Sequence, residues 1–163
     1  MGSHSSSAEQ AVKLAKTVAQ PGAVLADEQA RAESLALMAE SGIAMVASLD
    51  ETGHPRIKAM LKMETEGLKQ VWFSTNTSSK RVAQFLRDAR SSVYFVDATG
   101  FRGLLLVGEM EVRRDAESRR RLWREGFEMY YPKGIDDPDY TVLRFVAREA
   151  NYYHGLSNRT FAV

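Results

Sequence analysis

At 163 residues the chain has the length of one domain, or of one domain with a small appendage, and its 44% hydrophobic and 26% charged content is ordinary for a globular protein. Twenty-two basic against 21 acidic side chains leave a formal charge of +1, which argues against nucleic acid or an anionic membrane as the principal partner. The lack of cysteine excludes disulfides, thiolate nucleophiles and Cys-ligated metals and is compatible with a cytoplasmic protein, and no apolar run approaches the length of a membrane span.

Met1-Gly2-Ser3-His4-Ser5-Ser6-Ser7 carries no hydrophobic signal segment and reads as an expression-tag remnant, leaving 8–163 as a single domain. Ala8 to Ala19 is predicted helical, with Ala11, Leu14, Ala15 and Val18 on one face and Pro21-Gly22 as its stop. A second helix is predicted from Asp27, a good N-cap, to Glu40, with Leu35, Met38 and Ala39 inward and Gly42 at C′.

Beyond Gly42 the period changes. Ile43 to Leu49 is an apolar strand, Asp50-Glu51-Thr52-Gly53 is turn chemistry, and Pro55 to Glu64 alternates. Ile57, Ala59, Leu61 and Met63 fall on one side of that strand, Arg56, Lys58, Met60 and Lys62 on the other. So short a connection predicts an antiparallel hairpin. Gln70 to Thr75, Ser92 to Asp97, Arg102 to Arg114 and Tyr140 to Arg148 are predicted as further strands, the last extendable through Tyr152 to Gly155. Asp115 is placed as the cap of a charged helix reaching Phe127, with Leu122, Trp123 and Phe127 as its apolar side. About six mostly antiparallel strands with helices at start, middle and late predict a small barrel with helices packed outside it.

One stretch combines strand, turn and helix. Val71 to Ser74 is a β run, a hydroxyl and amide cluster follows, and Val82, Phe85, Leu86 and Ala89 mark an amphipathic helix. Such a helix start carries outward N–H groups and a partial positive charge, and Lys80 and Arg81 add full ones, which is the physics of a phosphate seat. Plain N-capping by the Ser and Thr side chains accounts for the same residue types without a ligand.

Other chemistry finds little footing. His4, His54 and His154 lack metal-ligand spacing, and there is no Gly-x-Ser-x-Gly elbow, Walker loop or Gly-x-Gly-x-x-Gly after a strand. Asp136, Asp137 and Asp139 read as a solvated acidic loop rather than a cation site, so no metal is assigned. Arg119-Arg120-Arg121 spreads around its helix and reads as a solvated surface.

The order of a hairpin, Pro55-x-x-Lys58-x-Met60, Trp72-Phe73-Ser74-Thr75-Asn76, Ser78-x-Lys80, a strand, and Val107-Gly108-Glu109 resembles the FMN-binding split barrels related to pyridoxamine 5′-phosphate oxidase. The segment Tyr131-Pro132-Lys133-Gly134-x-Asp136-Asp137-Pro138-Asp139 resembles the general-stress-protein branch of that family. The likeness runs from about residue 33 to the C-terminus. It implies an α+β fold, a six-stranded antiparallel split β-barrel, and a cytoplasmic homodimer holding two FMN molecules at its interface. Lys58 stands where the family has a phosphate-binding Arg, supplying charge without the planar fork. Ala59 and Met60 follow where the family runs its chain along the flavin. Ser74 and Thr75 match the flavin and ribityl lining, and Ser78, Ser79 and Lys80 match the phosphate contacts, which favours the seat over plain capping. Tyr153 matches a Trp that approaches the flavin from the other subunit.

The resemblance also offers substrate residues, Arg159 in the tail and Lys62 on the second strand. Its departures are specific. Phe161 stands where the oxidase has a His, Gly103 where it has a flavin-contacting Gln, and its active-site Tyr, Arg and Ser have no aligned counterparts in Arg119–Tyr131. The implied function is an FMN-dependent, stress-related oxidoreductase of unknown substrate, without pyridoxamine-phosphate oxidase activity. The alternatives are a non-catalytic module carrying flavin, deazaflavin, haem or bilin, and a structural dimer with a degenerate site.

Overall fold

The structure is a computed structural model and describes Glu9 and residues 24–163. The helix predicted over Ala8–Ala19 lies, Glu9 apart, outside the described residues, as does the expected tag remnant. Helix α1 (Asp27–Glu40) begins one residue after its N-cap, Ala26, which makes no side-chain cap. Its buried face is Ala30, Ser34, Leu37 and Met38, not the predicted Leu35 and Ala39; Leu35 is exposed. Ser34 tolerates burial because its hydroxyl donates to the Ala30 carbonyl at 2.6 Å.

Eight antiparallel strands follow among the described residues: β1 (Ile43–Leu49), β2 (Pro55–Leu61), β3 (Glu64–Glu66), β4 (Gln70–Asn76), β5 (Arg90–Asp97), β6 (Arg102–Arg113), β7 (Tyr140–His154) and β8 (Ser157–Ala162). They form one sheet in the order β2-β1-β5-β6-β7-β4-β3, with β8 paired to β7. Six long strands, β2-β1-β5-β6-β7-β4, are the expected six-stranded barrel, and β3 and β8 are additions. The predicted strand Pro55–Glu64 breaks at Lys62-Met63, where the chain changes partners. The Lys62 N–H still donates to Gly42 on the β1 side, while the Met63 N–H already donates to Trp72 on β4, both at 2.9 Å. Because β2 and β3 are opposite ends of the sheet order yet two residues apart in sequence, that step curls the sheet into a split barrel.

The alternation expected on β2 has the right spacing, and the structure turns its apolar side outward. Met60 is buried, whereas Ile57 and Leu61 are 63% and 62% exposed. Register places Ile43, Met45 and Ala47 beside Leu61, Ala59 and Ile57, and Tyr94 beside Met45. Ile43, Met45, Ile57, Leu61, Val96 and Val107 therefore form an apolar outer face across four strands, exposed in the single chain.

The main core fills the barrel with Val46, Met60, Phe73, Val93, Phe95, Leu104, Leu106, Phe145 and Tyr152, capped by α1 and by Val82 and Phe85 of helix α2 (Lys80–Arg87). Leu86, predicted to face inward, is exposed. A second cluster of Trp72, Leu122, Tyr131, Tyr140 and Val142 lies between β4, β7 and helix α3 (Ala116–Leu122). Asp115 caps α3 as expected, accepting from the Ser118 N–H at 2.9 Å, but the helix ends at Leu122 instead of Phe127. Arg120 and Arg121 are exposed as expected, whereas Arg119 is half-buried, and two of the three have specific partners. Arg121 pairs with Glu64 and Glu66 and lies over the Trp72 ring, 4.3 Å from its centroid, and Arg119 donates to the Ile135 and Asp137 carbonyls. No helix among the described residues is long and apolar enough to cross a membrane.

Candidate functional site

A cavity of about 470 Å³ opens where the β1–β2 hairpin meets the start of α2, lined by Ser48, Asp50, Arg56, Lys58, Ser79, Lys80 and Arg81 with Glu51 and Gln84. Four cations from two chain segments face two carboxylates. The topology explains the convergence. Arg56 and Lys58 share the inner side of β2 with Met60, and near the barrel mouth that side opens onto the start of α2.

The hairpin is preorganised. Asp50 is buried and accepts from the Thr52 and His54 N–H groups and the Thr52 hydroxyl, and it pairs with Arg56 at 2.7 Å. The Thr52 hydroxyl, then Arg56 and the backbone donors, hold its carboxyl well below the usual range, against the opposing pull of burial. Arg56 is thereby fixed at the rim. Across the cavity, Ser48 donates to Gln84 at 2.6 Å and ties β1 to α2. Burial lowers the Arg81 pKa, and its guanidinium reaches the Thr75 hydroxyl at 3.4 Å.

The hydroxyl cluster before α2 divides into structural and free members. The Thr77 hydroxyl pairs with that of Thr141 at 2.6 Å, and the Ser78 N–H donates to Asp139 at 2.8 Å. Ser79 is the N-cap residue of α2, but its side chain caps nothing; its hydroxyl is buried with no partner among the described residues. Plain capping would have used that oxygen. The Val82 N–H donates to the Ser79 carbonyl at 3.1 Å, which leaves the Lys80 and Arg81 N–H groups without an intrahelical acceptor. The orphaned hydroxyl, the free N–H groups, Lys58, Lys80 and Arg81 fit a multiply charged anionic ester.

The other sequence-predicted residues divide. Lys58, Ser79 and Lys80 come together in the cavity. Thr75 reaches it through Arg81. Ser78 is exposed on the neighbouring turn, and Ser74 turns to the opposite side of β4, among the second cluster's residues. The Met60 side chain fills the core. Ala59 lies on the outer face, but the ladder gives its backbone a role. The Asp50 N–H donates to the His54 carbonyl and the Lys62 N–H to the Gly42 carbonyl, which sets the phase of the ladder. Strict alternation then turns the polar groups of Ile57, Ala59 and Leu61 away from β1, toward the open edge of β2. Tyr153 stands on the outer face of β7 beside Gly103. Lys62 and Arg159 serve their own chain: Lys62 donates to the Met38 carbonyl at the end of α1, with burial lowering its pKa, and Arg159 pairs with Asp27.

Sequence reasoning missed Arg56, Asp50 and, above all, Asp139. Asp139 accepts from the Asn76 amide at 2.7 Å and from the Ser78 N–H, and its carbonyl accepts from the Thr77 N–H at 2.7 Å. Asp137, on the same loop, is buried and accepts from the Lys133 and Asp139 N–H groups. The acidic loop is thus the outer brace of the turn that delivers Ser79 and Lys80. The signal available was Asp-Pro-Asp before a strand, without anything to name its target 61 residues away.

The hydrogen bond from Asn76, followed by those from Ser78, holds the Asp139 carboxyl below its ordinary value of 3.8. A depressed folded-state pKa contributes stability above the unfolded value and loses it as pH falls through the folded one. Thermal melts should therefore show acid destabilisation below about pH 4 that is smaller in Asp139→Asn than in the parent chain.

Comparison with curated proteins finds no match. Among solved structures, the chain is similar to a protein related to general stress protein 26, of the pyridoxinephosphate oxidase family, from Clostridium acetobutylicum. Identity is 46%, the TM-score is 0.76, and the match covers 85% of this chain and 97% of that one. General stress protein 26 of Bacillus anthracis shares the fold at 11% identity and TM-score 0.66, over 80% and 97% of the two chains. A heme binding protein of Mycobacterium smegmatis does so at 17% identity and TM-score 0.68, over 85% and 60%. A family model described as pyridoxamine 5′-phosphate oxidase like matches residues 29–163. With that match spanning most of the sequence, and the split barrel and its strand order in agreement, this chain belongs to the pyridoxamine 5′-phosphate oxidase-like family.

Proposed function

We propose that the protein is an FMN-binding flavoprotein, a cytoplasmic homodimer with two flavin sites at its interface, acting as a stress-related oxidoreductase. The observation that carries this reading is the buried Ser79 hydroxyl at the start of α2, which has no partner among the described residues and faces a cavity lined by Lys58, Lys80 and Arg81. A buried polar atom without a partner is expensive, and a phosphate oxygen is the acceptor such a donor set fits. Bound FMN would supply a two-electron carrier, and the chain supplies position and electrostatics. Lys58, Ser79, Lys80 and Arg81 would hold the phosphate, and the open edge of β2 at Ala59 would offer backbone groups to the flavin ring. The apolar outer face, too extensive to leave in water, supports self-association.

Pyridoxamine-phosphate oxidation is not part of this reading, because Lys62 and Arg159 are engaged by Met38 and Asp27. Haem is disfavoured for the same cavity, whose described lining holds no His, Cys or Met.

The visible spectrum of the purified protein, mass analysis of what it releases on denaturation, and sedimentation are the test. A flavin spectrum, the mass of FMN and a dimer are expected. A colourless protein that ignores added FMN, or a monomer that binds it, would overturn the proposal. FMN bound without turnover of NADH or NADPH would leave a carrier in place of an enzyme. Asp139→Ala should weaken FMN retention roughly tenfold in a fluorescence titration, since misplacing a binding group costs much of what the group supplies.

A further inference from the structure

Gly103 on β6 pairs with Tyr153 of β7 on one side and with Val96 of β5 on the other, and Tyr94, two residues before Val96 and on the same face, reaches it diagonally. The two tyrosines nonetheless meet. Their hydroxyls are 2.7 Å apart, so the rings lean toward each other across the whole of β6, a span of roughly two strand spacings or ~10 Å. Only a bare backbone permits this. A Cβ on Gly103 would lie 2.3 Å from Cε1 of Tyr153 and 2.5 Å from the Tyr94 hydroxyl.

The bridge is braced from its end. Phe101 meets the Tyr153 ring edge-on, with centroids 6.0 Å apart and planes at 66°. It does so from φ +51°, the left-handed region that a bulky residue rarely adopts, and its carbonyl accepts from the Gly155 N–H at 3.0 Å, joining the β5–β6 turn to the β7–β8 turn. Burial, then the Tyr153 hydroxyl, raise the Tyr94 pKa, so the phenol stays neutral through the physiological range. Both rings are half-buried on the apolar outer face that carries Met45, Ile57 and Leu61.

We propose that Tyr94 is a positioning residue: across the bare backbone of Gly103 its hydroxyl holds Tyr153 in one orientation, so that each subunit presents a fixed aromatic platform to the flavin bound by its mate. This rests on the function proposed above. It also accounts for glycine at 103. A side chain there and the tyrosine bridge exclude one another, so this chain makes its flavin-facing surface from two phenols on the flanking strands.

The test uses Tyr94→Phe, which keeps the ring and deletes only the bond, and Gly103→Ala, which drives the rings apart. Losing one neutral hydrogen bond should shift the rotamer balance of Tyr153 roughly fivefold. In the cofactor-free protein labelled with 3-fluorotyrosine, the Tyr153 fluorine signal, assigned with Tyr153→Phe, should be single and sharp in the parent chain and shifted or broadened in Tyr94→Phe. In the FMN-loaded dimer, where a nearby phenol quenches flavin emission, Tyr94→Phe should brighten the flavin while phosphate-site affinity stays within about threefold of the parent, because no cavity residue is touched. An unchanged fluorine signal in Tyr94→Phe overturns the positioning role. A changed fluorine signal with unaltered flavin emission overturns the platform's contact with the cofactor. A parent chain that takes up no FMN sinks the reading of the cavity instead, while the fluorine spectrum still decides for or against the bridge. Should Gly103→Ala fail to fold, Tyr94→Phe carries the test alone.

Discussion

Replacing Lys58 and Lys80 together by alanine is expected to strip FMN from the protein. The two side chains come from different segments, β2 and the first turn of α2, and meet in one cavity with the Ser79 hydroxyl. A charge-assisted hydrogen bond to phosphate contributes about 1.5–3 kcal/mol, so each single variant should raise Kd roughly 10- to 100-fold. The pair should raise it roughly 50- to 2,000-fold, short of strict additivity because both act on one anion. The remaining cations do not compensate. Arg56 is committed to Asp50, and Arg81 lies deeper, beside Thr75. Lys58→Arg is the informative control: a guanidinium offers a two-pronged grip, so retention should hold or improve. Equilibrium dialysis of FMN checks all four proteins, with far-UV circular dichroism confirming that each is folded. Unchanged retention in the double variant would refute the phosphate assignment.

The reach of the sequence follows the range of the interactions. Strands β1, β4, β5 and β6 were legible because their apolar runs and spacing are local, and so was the Asp115 cap, three residues from its partner Ser118. The side of β2 was not. Period-two spacing separates Ile57 and Ala59 from Arg56 and Lys58 but does not say which set faces the core, and a strand whose outer face is apolar defeats the rule that apolar means inward. Strand β8 was missed because Ser157–Ala162 reads as polar, with Phe161 its one large apolar side chain, and its pairing is supplied entirely by β7. Within the cavity, Lys58, Ser79 and Lys80 carried a signal in their own neighbourhood. Asp50, Arg56 and Asp139 matter only through partners that the fold brings to them. The partners of Arg119 and Arg121 were missed for the same reason, since Glu64, Glu66 and two loop carbonyls cannot be seen from the helix alone.

Gly108→Ala is expected to destabilise the protein severely although it adds a single methyl group. Gly108 stands on β6 where its ladder with β7 slips: Val107 pairs with Glu149, yet Gly108 pairs with Ala147, leaving Arg148 as the extra residue of a bulge. The bulge presses the two backbones together, and a Cβ on Gly108 would fall 2.0 Å from the Val146 carbonyl oxygen and 2.9 Å from the Ala147 Cα. Those atoms belong to the backbone of the sheet's longest strand, so no rotamer change relieves the clash, and β7 must move. Displacing β7 disturbs both of its long neighbours at once, since it pairs with β6 and with β4, whose far end becomes the turn carrying Ser79. The expected cost is on the order of 4 kcal/mol, the size reserved for overpacking that structure cannot absorb. For a chain of this length that lowers Tm by roughly 10 °C. Gly42→Ala supplies the contrast: an added methyl meets nothing within 4 Å there, so its effect should stay within about 0.5 kcal/mol. Urea titration of both variants measures the difference. A Gly108→Ala protein as stable as Gly42→Ala would mean that the β6–β7 bulge is not the close contact on which this barrel's shape, and the aim of its two long strands toward the cavity and the outer face, depends.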